Sequence, residues 1–275
     1  MRNSTPEFLL AMVLLENPAF PDITALKDSP WADRHNIVWE EPTSREGISV
    51  QLLSVNGDEA HIALMPVPVP WSDLEGPCAT SRFWREATDV CRNHRAHLIV
   101  SLRSADADPI ARHLALTELI AAVTEATPGA VAVYWGNGGV VQPVGIFREF
   151  AAHATPDDLP LYLWVDFRLW KQEDGSLYMA TSGLEPFGVM ELEGCTRRLE
   201  PKVLMGKIYD LAHYVCQSGP VLNDGDTIGE SEHERIRIRH TESIWPRGKV
   251  VRVEFDGQER KGLGAVIRGL FGRGN

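Results

Sequence analysis

The stretch from Trp164 to Glu193 constrains this chain most. It reads Trp164-Val-Asp-Phe-Arg168, then Asp174-Gly175, then Ser176 to Gly183, Leu184-Glu-Pro-Phe-Gly188 and Glu191-Leu-Glu193. Short apolar segments are punctuated by tight-turn residues at fixed offsets. That pattern predicts a strand, a turn at Asp174-Gly175, a second strand, a glycine-bounded corner and a short third strand. It holds no nucleophile–base pair and no set of metal ligands. Ser182 does not lie in G-x-S-x-G, so the hydrolase elbow is absent.

The rest of the chain extends the pattern. Phe8 to Leu15 is a continuous apolar run that suits a buried central strand. A helix is expected over Thr24 to Ala32. Segments Gly47–Val55 and Glu59–Met65 flank Asn56-Gly57, a strong hairpin signal. Pro66-Val-Pro-Val-Pro70 forbids regular pairing, and a helix is expected from Thr80 to Asn93. Ala96 to Leu102 reads as a strand. Asp108-Pro109 opens a helix that runs to Glu125, followed by a strand over Ala130–Trp135 and a helix over Val144–Ala152. Beyond the polar linker Thr155-Pro-Asp-Asp158 come the strands already described and a helix over Glu200–Cys216 ended by Gly219-Pro220. A turn at Asp224-Gly-Asp226 and strands over Glu234–Arg239 and Lys249–Phe255 complete the series.

Strands and helices alternate without a strict βαβ rhythm. The expected fold class is α+β: two α/β lobes with mixed or antiparallel sheets and helices packed on their faces. The expected boundaries are 1–156 and 157–258, with a mobile tail over 259–275.

Charge and cysteine content narrow the function classes. The 275 residues carry 27 basic and 38 acidic side chains, a net charge of −11. That argues against a nucleic-acid surface, which needs clustered Lys and Arg, and suits a basic protein partner. Cys78, Cys91, Cys195 and Cys216 form no C-x-x-C pair, so reduced thiols are expected rather than a disulfide scaffold or zinc ribbon. The run Phe8–Leu15 is too short to span a bilayer and has no basic region before it. A cytoplasmic location and no membrane association are expected.

Candidate chemistry is sparse. His94 and His97 flank a helix-to-strand turn, but no third metal ligand lies nearby in sequence, and neither metal nor cofactor is expected. His97 is instead expected to hydrogen-bond backbone groups at the start of its strand. Tyr134-Trp-Gly-Asn-Gly-Gly139 lacks a P-loop lysine and the G-x-G-x-x-G spacing. A turn needing positive φ at Gly136, Gly138 or Gly139 accounts for it. Asp166 and Arg168 alternate along a strand and read as a charge pair. Glu191 and Glu193 share a face and read as solvated edge-strand charges, or as acceptors for a partner's arginine.

Several of these segments resemble one family. Pro66-Val-Pro-Val-Pro70, Trp84, His94-Arg-Ala-His97-Leu-Ile-Val100 and Tyr134-Trp-Gly-Asn-Gly-Gly139 are similar to the N-terminal part of bacterial proteins that carry the domain of unknown function 4261. Leu163–Arg168, Thr181–Gly188 and Glu191–Glu193 resemble the domain itself, with Asp224–Gly229 and His240–Ser243 extending the likeness. The resemblance implies no reaction. Some proteins of this kind resemble those encoded near secreted toxins.

The functional expectation is a non-enzymatic protein-binding factor of immunity or antitoxin type that blocks a basic toxin or effector. Asp166, Glu185, Glu191 and Glu193 are the expected partner-binding carboxylates. Two alternatives stand beside it. One is an enzyme or small-ligand sensor with a cleft between the two lobes, lined by His97, Trp135, Asn137 and Arg168. The other is a structural subunit that forms a homodimer through an edge strand.

Overall fold

The computed structural model describes residues 7–45, 48–81, 84–104, 108–229, 236–244 and 248–255. It has the expected α+β class and divides into two compact units, Met1–Val165 and Asp166–Asn275. The polar segment expected as a linker is a closed turn, in which the Asp158 N–H donates to the Thr155 carbonyl at 3.2 Å and to its hydroxyl at 3.0 Å. The boundary lies beyond it, between Val165 and Asp166. The tail from residue 259 lies outside the described residues.

The first unit contains strands β1 (Glu7–Leu15), β2 (Ile37–Trp39), β3 (Thr43–Arg45), β4 (Ile48–Val55), β5 (Asp58–Met65), β6 (Ala96–Ser104), β7 (Ala130–Trp135) and β8 (Val140–Pro143). They form one antiparallel sheet in the order β2-β4-β5-β6-β1-β7-β8, with β3 also on β4. The apolar run thus becomes β1, paired with β6 on one side and β7 on the other. Asn56 and Gly57 both take positive φ, 54° and 98°, as the tight turn of the β4–β5 hairpin requires.

Helices α1 (Ile23–Lys27) and α2 (Pro30–Arg34) replace the single helix expected over Thr24–Ala32. Pro30 has no N–H to continue α1, and the Ser29 hydroxyl instead accepts from the Ala32 N–H at 3.3 Å to start α2. Helix α3 (Trp71–Thr80) was hidden by the prolines before it and by Pro77 within it. The helix expected from Thr80 starts only at Ala87, as α4 (Ala87–Asn93). The Arg92 guanidinium lies 4.4 Å from the Trp71 ring centroid and ties α4 to α3. Helix α5 (Pro109–Ala126) is capped by Asp108, whose carboxylate accepts from the Ile110 N–H at 2.9 Å. Helices α6 (Val144–His153) and α7 (Leu161–Trp164) follow; the latter takes residues expected to extend the next strand.

The two faces of this sheet differ. Leu9, Ala11, Val13, Leu53, Ala60, Ile62, Leu98 and Val100 are buried on the face where α5 packs on β1 and β6. On the other face, among the described residues of this unit, α3 and α4 cover one end. There Leu14, Ala132 and Val141 join Val69, Leu74, Cys78, Ala87 and Cys91 in a core cluster.

The second unit contains β9 (Asp166–Lys171), β10 (Leu177–Ser182), β11 (Leu192–Thr196), α8 (Pro201–Ser218), β12 (Thr227–Ile228), β13 (Ile236–Glu242) and β14 (Lys249–Glu254). The sheet order is β12-β13-β14-β11-β10-β9, with β11 and β14 parallel and the other pairs antiparallel. Helix α8 buries Leu204, Ile208, Leu211, Ala212 and Val215 and packs on β9, β10 and β11. It ends at Gly219, whose φ of 79° is the left-handed value that glycine tolerates. Among the described residues, no helix is long and apolar enough to cross a membrane.

Gly194 sets the approach of α8. A Cβ placed there would lie 2.8 Å from Ile208 Cδ1 and 3.1 Å from Leu204 Cδ1. Gly194→Ala is therefore expected to destabilise the second unit by about 1–3 kcal/mol through overpacking, read as a lower urea midpoint. Gly194→Ala with Ile208→Val should recover part of the loss.

Candidate functional site

The two histidines beside the proline segment serve as its clasps. The Val69 N–H donates to His94 Nε2 at 2.8 Å, and His94 Nδ1 hydrogen-bonds the Cys91 carbonyl. His97 Nδ1 donates to the Val67 carbonyl at 2.8 Å. His97 thus bonds backbone as expected, but the group comes from the proline segment rather than from its own strand. These bonds satisfy main-chain groups that the prolines prevent from entering the sheet. Among the described residues, no group of three or more His, Cys, Asp or Glu is placed to hold a metal ion.

Trp135 is buried on β7 and stacks with His113 of α5 at a centroid distance of 5.8 Å. His113 also meets Trp164 at 5.2 Å, and the Trp164 indole donates to the Thr117 hydroxyl at 2.8 Å. Asn137 is exposed in the β7–β8 turn. Of the glycines there, Gly139 takes the positive φ, 67°. Arg168 Nε donates to Asp166 Oδ2, the expected charge pair on β9.

The remaining carboxylates have distinct surroundings. Glu191 Oε1 accepts from the Gly183 and Leu184 N–H groups at 2.7 and 2.9 Å, and Oε2 accepts from the Thr181 hydroxyl at 2.6 Å. It holds the glycine corner between β10 and β11. Glu193 is 1% exposed. Its Oε2 accepts from the Tyr178 hydroxyl and from Arg252 Nη2 at 2.9 Å, and its Oε1 accepts from the Ser243 hydroxyl at 2.5 Å. The reading of Glu191 and Glu193 as solvated edge charges is thus corrected. Strand β11 lies between β10 and β14, so a carboxylate there meets side chains of both neighbours. Burial, with the Glu193 bond, raises the Tyr178 pKa and keeps the phenol protonated. Glu185, in a 3-10 turn, is exposed, whereas Asp166, Glu191 and Glu193 are engaged within the fold.

Among the described residues, part of one sheet face of the first unit is half-exposed. Its register stacks side chains in cross-strand rows. One row is Phe8, Arg103, Glu59, Ser54 and Val38; the next is Leu10, buried Ser101, His61 and Leu52; a third is Ile99, Ala63 and Val50, beside Met12, which packs against the α3–α4 core cluster. Phe8 is 47% exposed and Val38 61%, and Leu10, Leu52, Ala63, Ile99 and Val50 are half-buried. At a strand spacing of about 4.8 Å, the row from Phe8 to Val38 spans about 19 Å. Glu59 anchors its polar part, accepting from Arg103 Nη1 at 3.3 Å and pairing with His61 Nε2 at 2.8 Å. The His61 hydrogen bond, with Arg103 beside it, lowers the Glu59 pKa. Exposed Glu40 and Glu41 follow β2 at the edge of the sheet. No sequence motif marks this face. The available signal was apolar continuity: Phe8, Leu10 and Met12 are as apolar as the inward-facing Leu9, Ala11 and Val13.

The protein is thus an α+β chain whose second unit centres on a mixed sheet. Residues 180–254, from β10 to β14, match the family model described as Domain of unknown function (DUF4261). The match contains Glu191, Glu193 and Arg252, and the N-terminal segments of the resemblance lie outside it. No curated protein and no solved structure matches the chain.

Removing Glu193 leaves Arg252 and Tyr178 without their shared acceptor. Glu193→Ala is expected to cost about 3 kcal/mol, and Glu193→Leu with Arg252→Met less than Glu193→Ala alone. A double-mutant cycle by chemical unfolding measures both.

Burial holds His97 below its ordinary 6.5 and lowers His113 to about 4. The unfolded chain therefore takes up protons first as pH falls. The stability tied to these neutral rings is intact above pH 6.5 and is lost as pH falls towards 4, by about 3 kcal/mol for His113. Urea midpoints between pH 7.5 and 4 should fall steeply for the wild type and more shallowly for His113→Gln.

Proposed function

We propose that the protein is a non-enzymatic protein-binding factor that docks a basic protein on the open sheet face of its first unit. The observation that carries this reading is the set of rows from Phe8 to Val38, Leu10 to Leu52 and Ile99 to Val50, on the face opposite α5. An antiparallel sheet of this kind is ordinarily sealed by helices or turned to water with polar residues. A half-exposed apolar centre with a charged margin has the anatomy of a recognition surface.

The net charge of −11 supports a basic partner, since complementary fields speed encounter and disfavour acidic competitors. Recognition is assigned to this face rather than to Asp166, Glu191 and Glu193, because those carboxylates already have internal partners. In its sharpest form the reading is an immunity- or antitoxin-like factor that occludes its partner by steric cover. No bond is made or broken.

The test is capture from an extract of the native host by the immobilised full chain. The expected result is one stoichiometric basic protein, held by the wild type and released by added salt. Phe8→Asp with Val38→Asp should weaken capture at least tenfold while leaving the melting temperature within a few degrees. Recovery of no stoichiometric partner, or equal capture by the double variant, would overturn the reading.

A further inference from the structure

We propose that His94 is an acid-released clasp: protonation of its ring frees Val69 and lets the proline segment and α3 swing from the sheet, while His97 keeps Val67 tethered as the pivot. The proposal is independent of the protein-binding reading.

The two clasps are of opposite kind. His94 holds Val69 as an acceptor. Its Nε2 takes the Val69 N–H at 2.8 Å, and its Nδ1 meets the Cys91 carbonyl, a group that can only accept. These partners fix the neutral ring with its proton on Nδ1. A second proton would go to Nε2 and set one N–H against another, so the charged ring and the Val69 bond exclude each other. His97 holds Val67 as a donor, from Nδ1 to the Val67 carbonyl at 2.8 Å. A second proton on its Nε2 leaves that bond in place. Acid therefore undoes the first fastening and spares the second.

The surroundings of His94 offer a charged ring little support. The titratable groups gathered there are the Cys78 thiol of α3, the Cys91 thiol of α4 and the Tyr134 phenol of β7, which packs against the same cluster. His97 stands next to it on β6, and charges on the two rings repel each other. The Arg92 guanidinium of α4 is engaged over the Trp71 ring at 4.4 Å. Among the described residues, neither histidine forms an ion pair. Val69 is buried in the core cluster, so an N–H released there has no water to turn to unless the segment moves out.

The segment is placed to move. Pro66, Val67, Pro68 and Pro70 are exposed, so lifting Val69 brings His94 into water, where an imidazole takes a proton near pH 6.5. The three prolines carry no N–H, which leaves Val67 and Val69 as the only main-chain donors of the segment. Helix α3 begins directly after it, and Pro70 gives the helix start no side-chain cap. Release at Val69 therefore runs on into α3, whose remaining hold is the burial of Leu74, Pro77 and Cys78 and the Trp71–Arg92 contact. The open form binds one more proton than the closed form. Closure is thus complete above pH 6.5, and the open population rises up to about tenfold for each pH unit below it.

The experiment follows hydrogen exchange of the full chain between pH 7.5 and 5.5, with each amide rate corrected for its intrinsic dependence on pH. The expected result is a loss of protection at Val69, Leu74 and Cys78 of up to about tenfold per pH unit below 6.5, while Val13 of β1 and Leu98 of β6 stay protected. His94→Gln, whose side-chain oxygen accepts from Val69 but takes no proton, should flatten that slope, and His97→Gln should retain it. Three results would each overturn the proposal: protection at Val69 that does not change with pH, an unchanged slope in His94→Gln, or loss of protection in α3 and β1 together at every pH. Imidazole nitrogen shifts of the wild type supply a readout that needs no variant. An imidazolium at His94 while the Val69 amide remains protected would also refute the clasp.

Discussion

Strand β1 has a neighbour on both edges, and the first unit is organised around that pairing. Its backbone groups are taken up by β6 over its whole length and by β7 over its second half. Over Ala11–Leu15, where both edges are paired, the strand keeps its main-chain groups within the sheet, which lets it be apolar on both faces. One face then needs a helix, and α5 supplies it with Leu116, Leu119, Ile120 and Val123. Among the described residues of this unit, α3 and α4 meet the other face at one end, and the remainder of that face is the surface proposed for recognition.

The second unit solves a different problem on β11. Gly194 faces α8 and admits it at close range, while Glu193, pointing to the opposite face, gathers Tyr178, Arg252 and Ser243. A two-residue period thus separates a tightly packed surface from a hydrogen-bonded one. Burying a carboxylate is unfavourable unless its oxygens are satisfied, and here each oxygen has at least one donor. The segment matching the family model spans both devices.

Much of the architecture was legible because backbone chemistry is local. Asn56-Gly57 states its turn, Asp108-Pro109 its helix start, and Phe8–Leu15 its central position. The failures were local as well. Pro30 divided an apparent helix, and Pro70 and Pro77 concealed one that tolerates them. The half-exposed sheet face was less legible. Neighbours across the sheet, such as Leu52 beside His61, are defined by register rather than by spacing in the chain. Glu193 was misplaced for the same reason: whether a carboxylate on a strand meets water depends on which strands flank it. The Asp166–Arg168 pair was readable because both partners lie on one strand.

The parallel contact between β11 and β14 has a consequence for synthesis. Strand β14 separates β11 from β13, and it is the last strand among the described residues in chain order. While the chain emerges from the ribosome, β9, β10 and β11 can form a meander, but one flank of β11 stays bare until residues through Glu254 have appeared. During that interval the growing polypeptide displays an adhesive border of unpaired amides and carbonyls. The mature arrangement conceals this border between two strands, so nascent and finished chains present different hazards of self-association.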